Sequence, residues 1–176
     1  DRVHLFYTAS GSGAEDAGHW LREDYVQRIA HATGSIRADA DGIVLAGFTD
    51  SILIAEGEGR FYQTHHEARD SEILYGFRDP FVFADKGEVF MTFTGNMPGP
   101  GCFTGNVGLA RSLDDSLRSW QLLPTLLHAS GVNQQLERPH IVRRDGRYYL
   151  FFVTHQETYA PGVTGPDGLY GFVADE

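Results

Sequence analysis

Phe77-Arg78-Asp79-Pro80-Phe81-Val82-Phe83 and, 59 residues further on, Leu136-Glu137-Arg138-Pro139-His140-Ile141-Val142 are two copies of one pattern. Each sets a charged pair before a proline and follows it with a short apolar stretch. Gly87 and Gly146 come next at the same offset, in Asp85-Lys86-Gly87 and Arg144-Asp145-Gly146, which suit tight hairpin turns. After them come the aromatic and β-branched runs Glu88–Thr94 and Arg147–Thr154, which read as buried strands rather than helices. A charged pair, a proline, a strand, a glycine turn and a second strand thus occur twice, which marks a repeated hairpin unit. The blades of a β-propeller are units of this kind, commonly ~40–50 residues apart, and the wider spacing here fits a blade with a long loop.

Outward from this repeat, Arg2–Ala9 (RVHLFYTA) has the same composition and predicts another buried strand. Tyr25–Ala32, Phe61–Thr64, Asn106–Ala110 and Trp120–Leu123 predict further strands, and 39–42 and 56–59 are turns. Met97–Phe103 (MPGPGCF) is a loop, because its prolines and glycines suit neither a helix nor a central strand. Ser112–Ser119 is either a turn of helix or a hairpin loop. No segment sustains helical periodicity and no linker divides the chain, so residues 1–176 are read as one all-β unit with ample apolar material for a core.

A formal net charge of -10 disfavours nucleic acid or phosphate-rich surfaces as partners, whereas neutral sugars are not repelled. No apolar run approaches a membrane span, and Asp1–Tyr7 reads as a strand, not a signal peptide. The single cysteine, Cys102, excludes an intrachain disulfide framework and reads as a loop thiol; neither a metal-ligand cluster nor a cofactor motif stands out.

In a propeller the innermost strand of each blade lines the central channel, so a charged pair just before it lies at one mouth of that channel. Arg78-Asp79 and Glu137-Arg138 are therefore expected to point from neighbouring blades into one pocket. Two carboxylates in a sugar pocket can divide the work: one protonates a leaving oxygen, while another stabilises an oxocarbenium-like centre. The arginines can bind hydroxyls and orient the acids. Such neighbours are ordinarily solvated surface ion pairs, and only their recurrence at equivalent positions favours a site.

These residues resemble the RDP and ERP motifs of glycoside hydrolase family 68, the levansucrases, inulosucrases and related invertases. Further stretches are similar to the Gram-negative form of that family: Phe61-Tyr62-Gln63-Thr64, Asn106-Val107-Gly108-Leu109-Ala110, Val132-Asn133, Tyr148-Tyr149-Leu150-Phe151 with Thr154-His155, and Gly165–Val173 (GPDGLYGFV). The resemblance covers nearly the whole chain. It implies a five-bladed β-propeller that cleaves sucrose and passes the fructosyl unit, with net retention, to fructan acceptors or water. No cofactor is implied, and bacterial secretion or a periplasmic location is. Carried over by motif, Asp79 would be the transition-state stabiliser and Glu137 the general acid/base. Arg78, Arg138, Gln135 and His155 would be substrate-binding residues.

Several departures stand beside the resemblance. The family's nucleophile lies in a WDSWP-like motif that does not occur among these 176 residues. The expectation is therefore an incomplete catalytic propeller, with the first and last blades missing. Thr94 stands where the family has a carboxylate, Gln134 and Leu136 replace Asp and Thr before Glu137, and Gln156 replaces the Arg after the histidine; the loop after Asn96 reads as shortened. Two alternatives are a sucrose hydrolase of the same family and a non-catalytic carbohydrate-binding propeller fragment. A related five-bladed glycosidase family would place cysteine after the acid/base glutamate, where this chain has Arg138.

Overall fold

The computed structural model describes residues 2–11, 26–40, 42–68, 75–99 and 101–175. Three antiparallel sheets follow one another along the chain. The first contains β1 (Arg2–Ser10), β2 (Gln27–Asp39), β3 (Gly42–Ala46) and β4 (Ile52–Ala55), with β3 and β4 both pairing β2. The second is a four-stranded meander of β5 (Arg78–Asp85), β6 (Glu88–Asn96), β7 (Gly105–Ser112) and β8 (Trp120–His128). The third runs β9 (Glu137–Arg144), β10 (Arg147–Thr154) and β11 (Gly168–Asp175). β5 packs beside β1 on one side and β9 on the other, so the sheets stand side by side as blades of a β-propeller.

The repeated unit forms its two hairpins as the sequence predicts, although most of β10 is half-buried rather than buried. Lys86-Gly87 and Asp145-Gly146 are two-residue hairpin loops with φ of 48° and 85°, and 52° and 72°, the left-handed pairs that match strand twist. Asn106–Ala110 and Trp120–Leu123 lie within β7 and β8, and Ser112–Ser119 is the hairpin loop between them. Asp114 organises that loop, accepting hydrogen bonds from Ser116 and from the N–H groups of Arg118 and Ser119.

Two other predictions are corrected. Phe61–Thr64 is not a strand: Tyr62 turns inward and Thr64 caps the short helix α1 (His65–Ala68). Thr64 N–H donates to Glu67 Oε2 at 2.7 Å and Glu67 N–H donates to Thr64 Oγ1 at 3.1 Å, a reciprocal capping box. The Thr64 N–H is also the main reason that Glu67's carboxyl lies below the usual range. The second correction is β1, which is half-buried rather than buried: one face packs toward the second sheet and Leu5 is 44% exposed. The expected strand start at Tyr25, the turn residue Asp41 and the loop residue Pro100 lie outside the described residues.

Two apolar clusters hold the blades together. Ile29, Tyr62, Phe77, Met91 and Phe93 fill the space between the first and second sheets; Val107, Leu136 and Phe152 lie between the second and third. Phe93 meets Tyr62 and Phe77 at ring-centroid distances of 4.8 and 4.6 Å, contacts worth about 1 kcal/mol each beyond area burial. Tyr62 also mends a ladder break. Pro124 lacks an N–H, and the β7–β8 register slips between Val107 and Leu109. The Tyr62 hydroxyl donates to Leu123 O at 2.6 Å and accepts from Leu109 N at 2.9 Å, satisfying backbone groups beside the slip.

Gly105, at the start of β7, packs against the backbone of the segment that leads into β9. A Cβ there would lie 2.6 Å from the carbonyl carbon and oxygen of Gln134, which are backbone atoms that cannot swing aside. Gly105→Ala is therefore expected to destabilise the fold by about 1–3 kcal/mol, read as a fall in the thermal unfolding midpoint of the full-length protein.

Candidate active site

Both charged pairs sit on bulges of one design. In β5 the register runs Arg78 opposite Thr94, then Phe81 opposite Thr92, so β5 carries one extra residue. In β9 Glu137 lies opposite Val153 and His140 opposite Phe151, the same insertion. Pro80 and Pro139 have no N–H to give the ladder, which accounts for the slip in each. The residues before them, Asp79 and Arg138, adopt left-handed φ of 58° and 51°. Such backbone costs roughly 1–3 kcal/mol for a non-glycine residue and re-aims its side chain. Arg78 is thus the equivalent of Glu137, and Asp79 of Arg138.

Arg78 is the centre of the arrangement, with a side chain only 10% exposed. Its Nη2 donates to Glu137 Oε1 at 2.6 Å and to Gln135 Oε1 at 2.5 Å. Nη1 donates to Gln27 Oε1 at 3.2 Å, and Nε lies 3.6 Å from Asp79 Oδ2. One guanidinium therefore stands between the two carboxylates and touches residues from all three sheets. Its fixed fork suits several acceptors at once, which a lysine could not match.

Asp79 is tied on both sides. Its N–H donates to Thr8 Oγ1 of β1 at 3.0 Å, and its Oδ2 accepts from Thr94 Oγ1 and from Arg138 N, each at 3.1 Å. Glu137 offers Oε2 to His155 Nε2 at 3.3 Å. His155 follows β10 and opens a single 3-10 turn, Gln156–Thr158. Beneath the acids lies a buried polar layer: Thr154 Oγ1 donates to Gln135 O at 2.8 Å, and Asn96 Nδ2 to Gln134 O at 2.9 Å. Asp79 and Glu137 remain partly open, at 24% and 15% side-chain exposure.

The structure thus brings Arg78, Asp79, Gln135, Glu137 and His155 together. Arg138 joins through its backbone N–H, while its side chain is exposed. Gln135 holds Arg78. The departures Gln134 and Leu136 act behind the acids: Gln134 Oε1 accepts from the Phe103 and Thr104 N–H groups, and Leu136 packs in the apolar cluster. Gln156 N–H donates to Asp167 at 2.5 Å. Gln27 and Thr8 were missed as site residues, being ordinary polar residues within strands that carry no local signal; Thr94, noted as a departure from the family's carboxylate, also touches Asp79. Among the described residues, no group of three or more His, Cys, Asp and Glu could hold a metal ion. The apolar groove between the outer parts of the second and third sheets, lined by Phe90, Leu109, Leu150 and Phe172, includes none of these site residues.

The fold places the chain among β-propellers, with acids from adjacent blades braced on one arginine. The Levansucrase/Invertase profile of glycoside hydrolase family 68 matches residues 1–104 and 99–176, and the chain belongs to that family. The two matched segments meet in the loop after Asn96, where the chain reads as shortened. Levansucrase LscA of Pseudomonas savastanoi pv. glycinea is 38% identical over 199 aligned residues, covering 98% of this chain and 44% of the relative. An extracellular sucrase of Zymomonas mobilis is 38% identical over 168 residues, covering 81% of this chain and 40% of the relative. Among solved structures, inulosucrase from Halalkalicoccus jeotgali bound to kestose superposes with a TM-score of 0.87 at 40% identity, covering 99% of this chain and 45% of that one. The chain thus spans less than half the length of these relatives.

Replacing Arg78 with Met should cost about 3–5 kcal/mol of stability, because both carboxylates lose their shared cation. Denaturant unfolding of the full-length variant checks this, with Arg78→Lys expected to recover part of the loss.

Proposed function

We propose that this chain forms the central part of the catalytic propeller of a sucrose-cleaving fructosyltransferase, with first and last blades contributed from outside these 176 residues. The observation that carries this reading is the Arg78 bridge, which gathers Asp79 and Glu137 from two repeated hairpins at one end of adjacent blades. Family membership supports it.

In this reading Glu137 protonates the glucosyl oxygen of sucrose as the glycosidic bond breaks, and afterwards takes a proton from the acceptor. Its Oε1 is anchored by Arg78, and Oε2 faces the partly exposed His155. Asp79 binds fructosyl hydroxyls and opposes the positive charge that develops at the anomeric carbon. The aspartate nucleophile comes from outside these residues, forms the fructosyl–enzyme bond and gives net retention. His155 lies beside the acid/base, where it can contact the glucosyl leaving group or the incoming acceptor. Gln135 contributes by fixing Arg78, and Arg138 by presenting its N–H to Asp79 and its exposed guanidinium to sugar hydroxyls. Sucrose and fructan acceptors are the partners, and the protein acts outside the cytoplasm, in the medium or periplasm.

A second reading, sucrose hydrolysis without transfer, is favoured by the likeness to the Zymomonas mobilis relative, an extracellular sucrase. Both readings share the cleavage step and differ in whether water or a sugar takes the fructosyl unit. Incubation of the full-length protein with sucrose separates them: oligofructosides or fructan support transfer, whereas free fructose equal to glucose supports hydrolysis. Glu137→Gln should abolish turnover while the fold persists, and Asp79→Asn should lower kcat by at least about 100-fold. Glucose release beside circular dichroism checks both, and a near-normal rate for Glu137→Gln would remove the acid/base assignment.

A further inference from the structure

Thr94 is a buried hydroxyl residue, 1% exposed, on β6 directly opposite Arg78 at the bulge. The equivalent position of the third sheet, opposite Glu137, is Val153, so the repeat itself does not require a hydroxyl there. Thr94 Oγ1 lies 3.1 Å from Asp79 Oδ2 and 3.1 Å from Leu136 O. One hydroxyl has one proton and cannot donate to both at once. The charged acceptor makes the stronger bond, so an ionised Asp79 captures the proton and the carbonyl is the fallback. Among the described residues, every hydrogen bond to the Asp79 carboxylate ends on Oδ2, from Thr94 Oγ1 and Arg138 N.

We propose that Thr94 is a positioning residue: it pins Oδ2 from the strand behind while Arg138 N–H pins it from the next blade, and Oδ1 is thereby presented to the fructosyl unit. The two donors come from different sheets, so together they fix the carboxylate's rotation, which neither fixes alone. Asp79 must hold its geometry most strictly at the transition state, where hydrogen bonds to charge matter most. The role thus falls on turnover more than on substrate affinity.

This role rests on the sucrose-cleaving reading. The test measures glucose release from sucrose by the full-length wild-type protein and its Thr94→Val, Thr94→Ser and Thr94→Ala variants, with the thermal midpoint of each. Thr94→Val keeps shape but removes the donor, and its kcat should fall roughly 10- to 100-fold, the range for a lost hydrogen bond to a charged group. KM should stay within about threefold, and Thr94→Ser should restore kcat to within about threefold of wild type. Where Thr94→Val does not fold, the Thr94→Ala and Thr94→Ser pair makes the same comparison. A kcat for Thr94→Val within twofold of wild type overturns the role, as does Thr94→Ser being as slow as Thr94→Val, since the methyl rather than the hydroxyl would then matter. Wild-type protein that releases no glucose overturns the sucrose reading and this role with it, an outcome distinct from active wild type beside unimpaired Thr94→Val.

Discussion

A single guanidinium, that of Arg78, makes the ends of three sheets into one place. Asp79 and Glu137 are like charges on one rim, and their repulsion is relieved by a cation between them. Arg78 supplies it, and also donates to Gln27 of the first sheet and to Gln135, just before the third. A buried ion pair is a poor source of net stability, because desolvation offsets most of the attraction. What this one contributes is geometry: any rotation of one blade against the next must break a short charged hydrogen bond.

The repeat explains how such a pairing arises. Equivalent positions of the two hairpins carry opposite charges: Arg78 matches Glu137, and Asp79 matches Arg138. Neighbouring blades present equivalent bulges side by side, so opposite signs at equivalent places attract across the interface. The same bulges set residues 79 and 138 in left-handed backbone, strain that the flanking strands must hold. Thr8 of β1 then catches the N–H of Asp79, so the first sheet also meets the rim. Fold and site are therefore tied at the same few residues.

Much of the scaffold was legible because its signals are local. Period, glycine turns and aromatic runs lie within a few residues of one another, and both hairpins formed where those signals stand. The failure at Phe61–Thr64 is instructive, because an aromatic pair outweighed a capping signal that was present as Thr64-x-x-Glu67. Tyr62 is aromatic for tertiary reasons: its ring fills the core between two sheets and its hydroxyl serves β7 and β8. β3, β4 and β11 went unpredicted; β3 and β4 are short, and the apolar run of β11 is interrupted by Gly171 and follows a loop of Gly and Pro.

The all-β class, the repeated hairpin, the family resemblance and the two acidic candidates are legible in residue order alone, because each depends on one segment or on its exact recurrence. Which groups touch those acids follows from how the blades pack. Gln27, Thr8 and Thr94 belong to strands far apart in the chain or behind the site, and Arg138 acts on Asp79 through its backbone, which no side-chain identity announces. Contacts of that kind depend on how blades pack and where a bulge turns a carboxylate, distances that exist only once the sheets stand side by side.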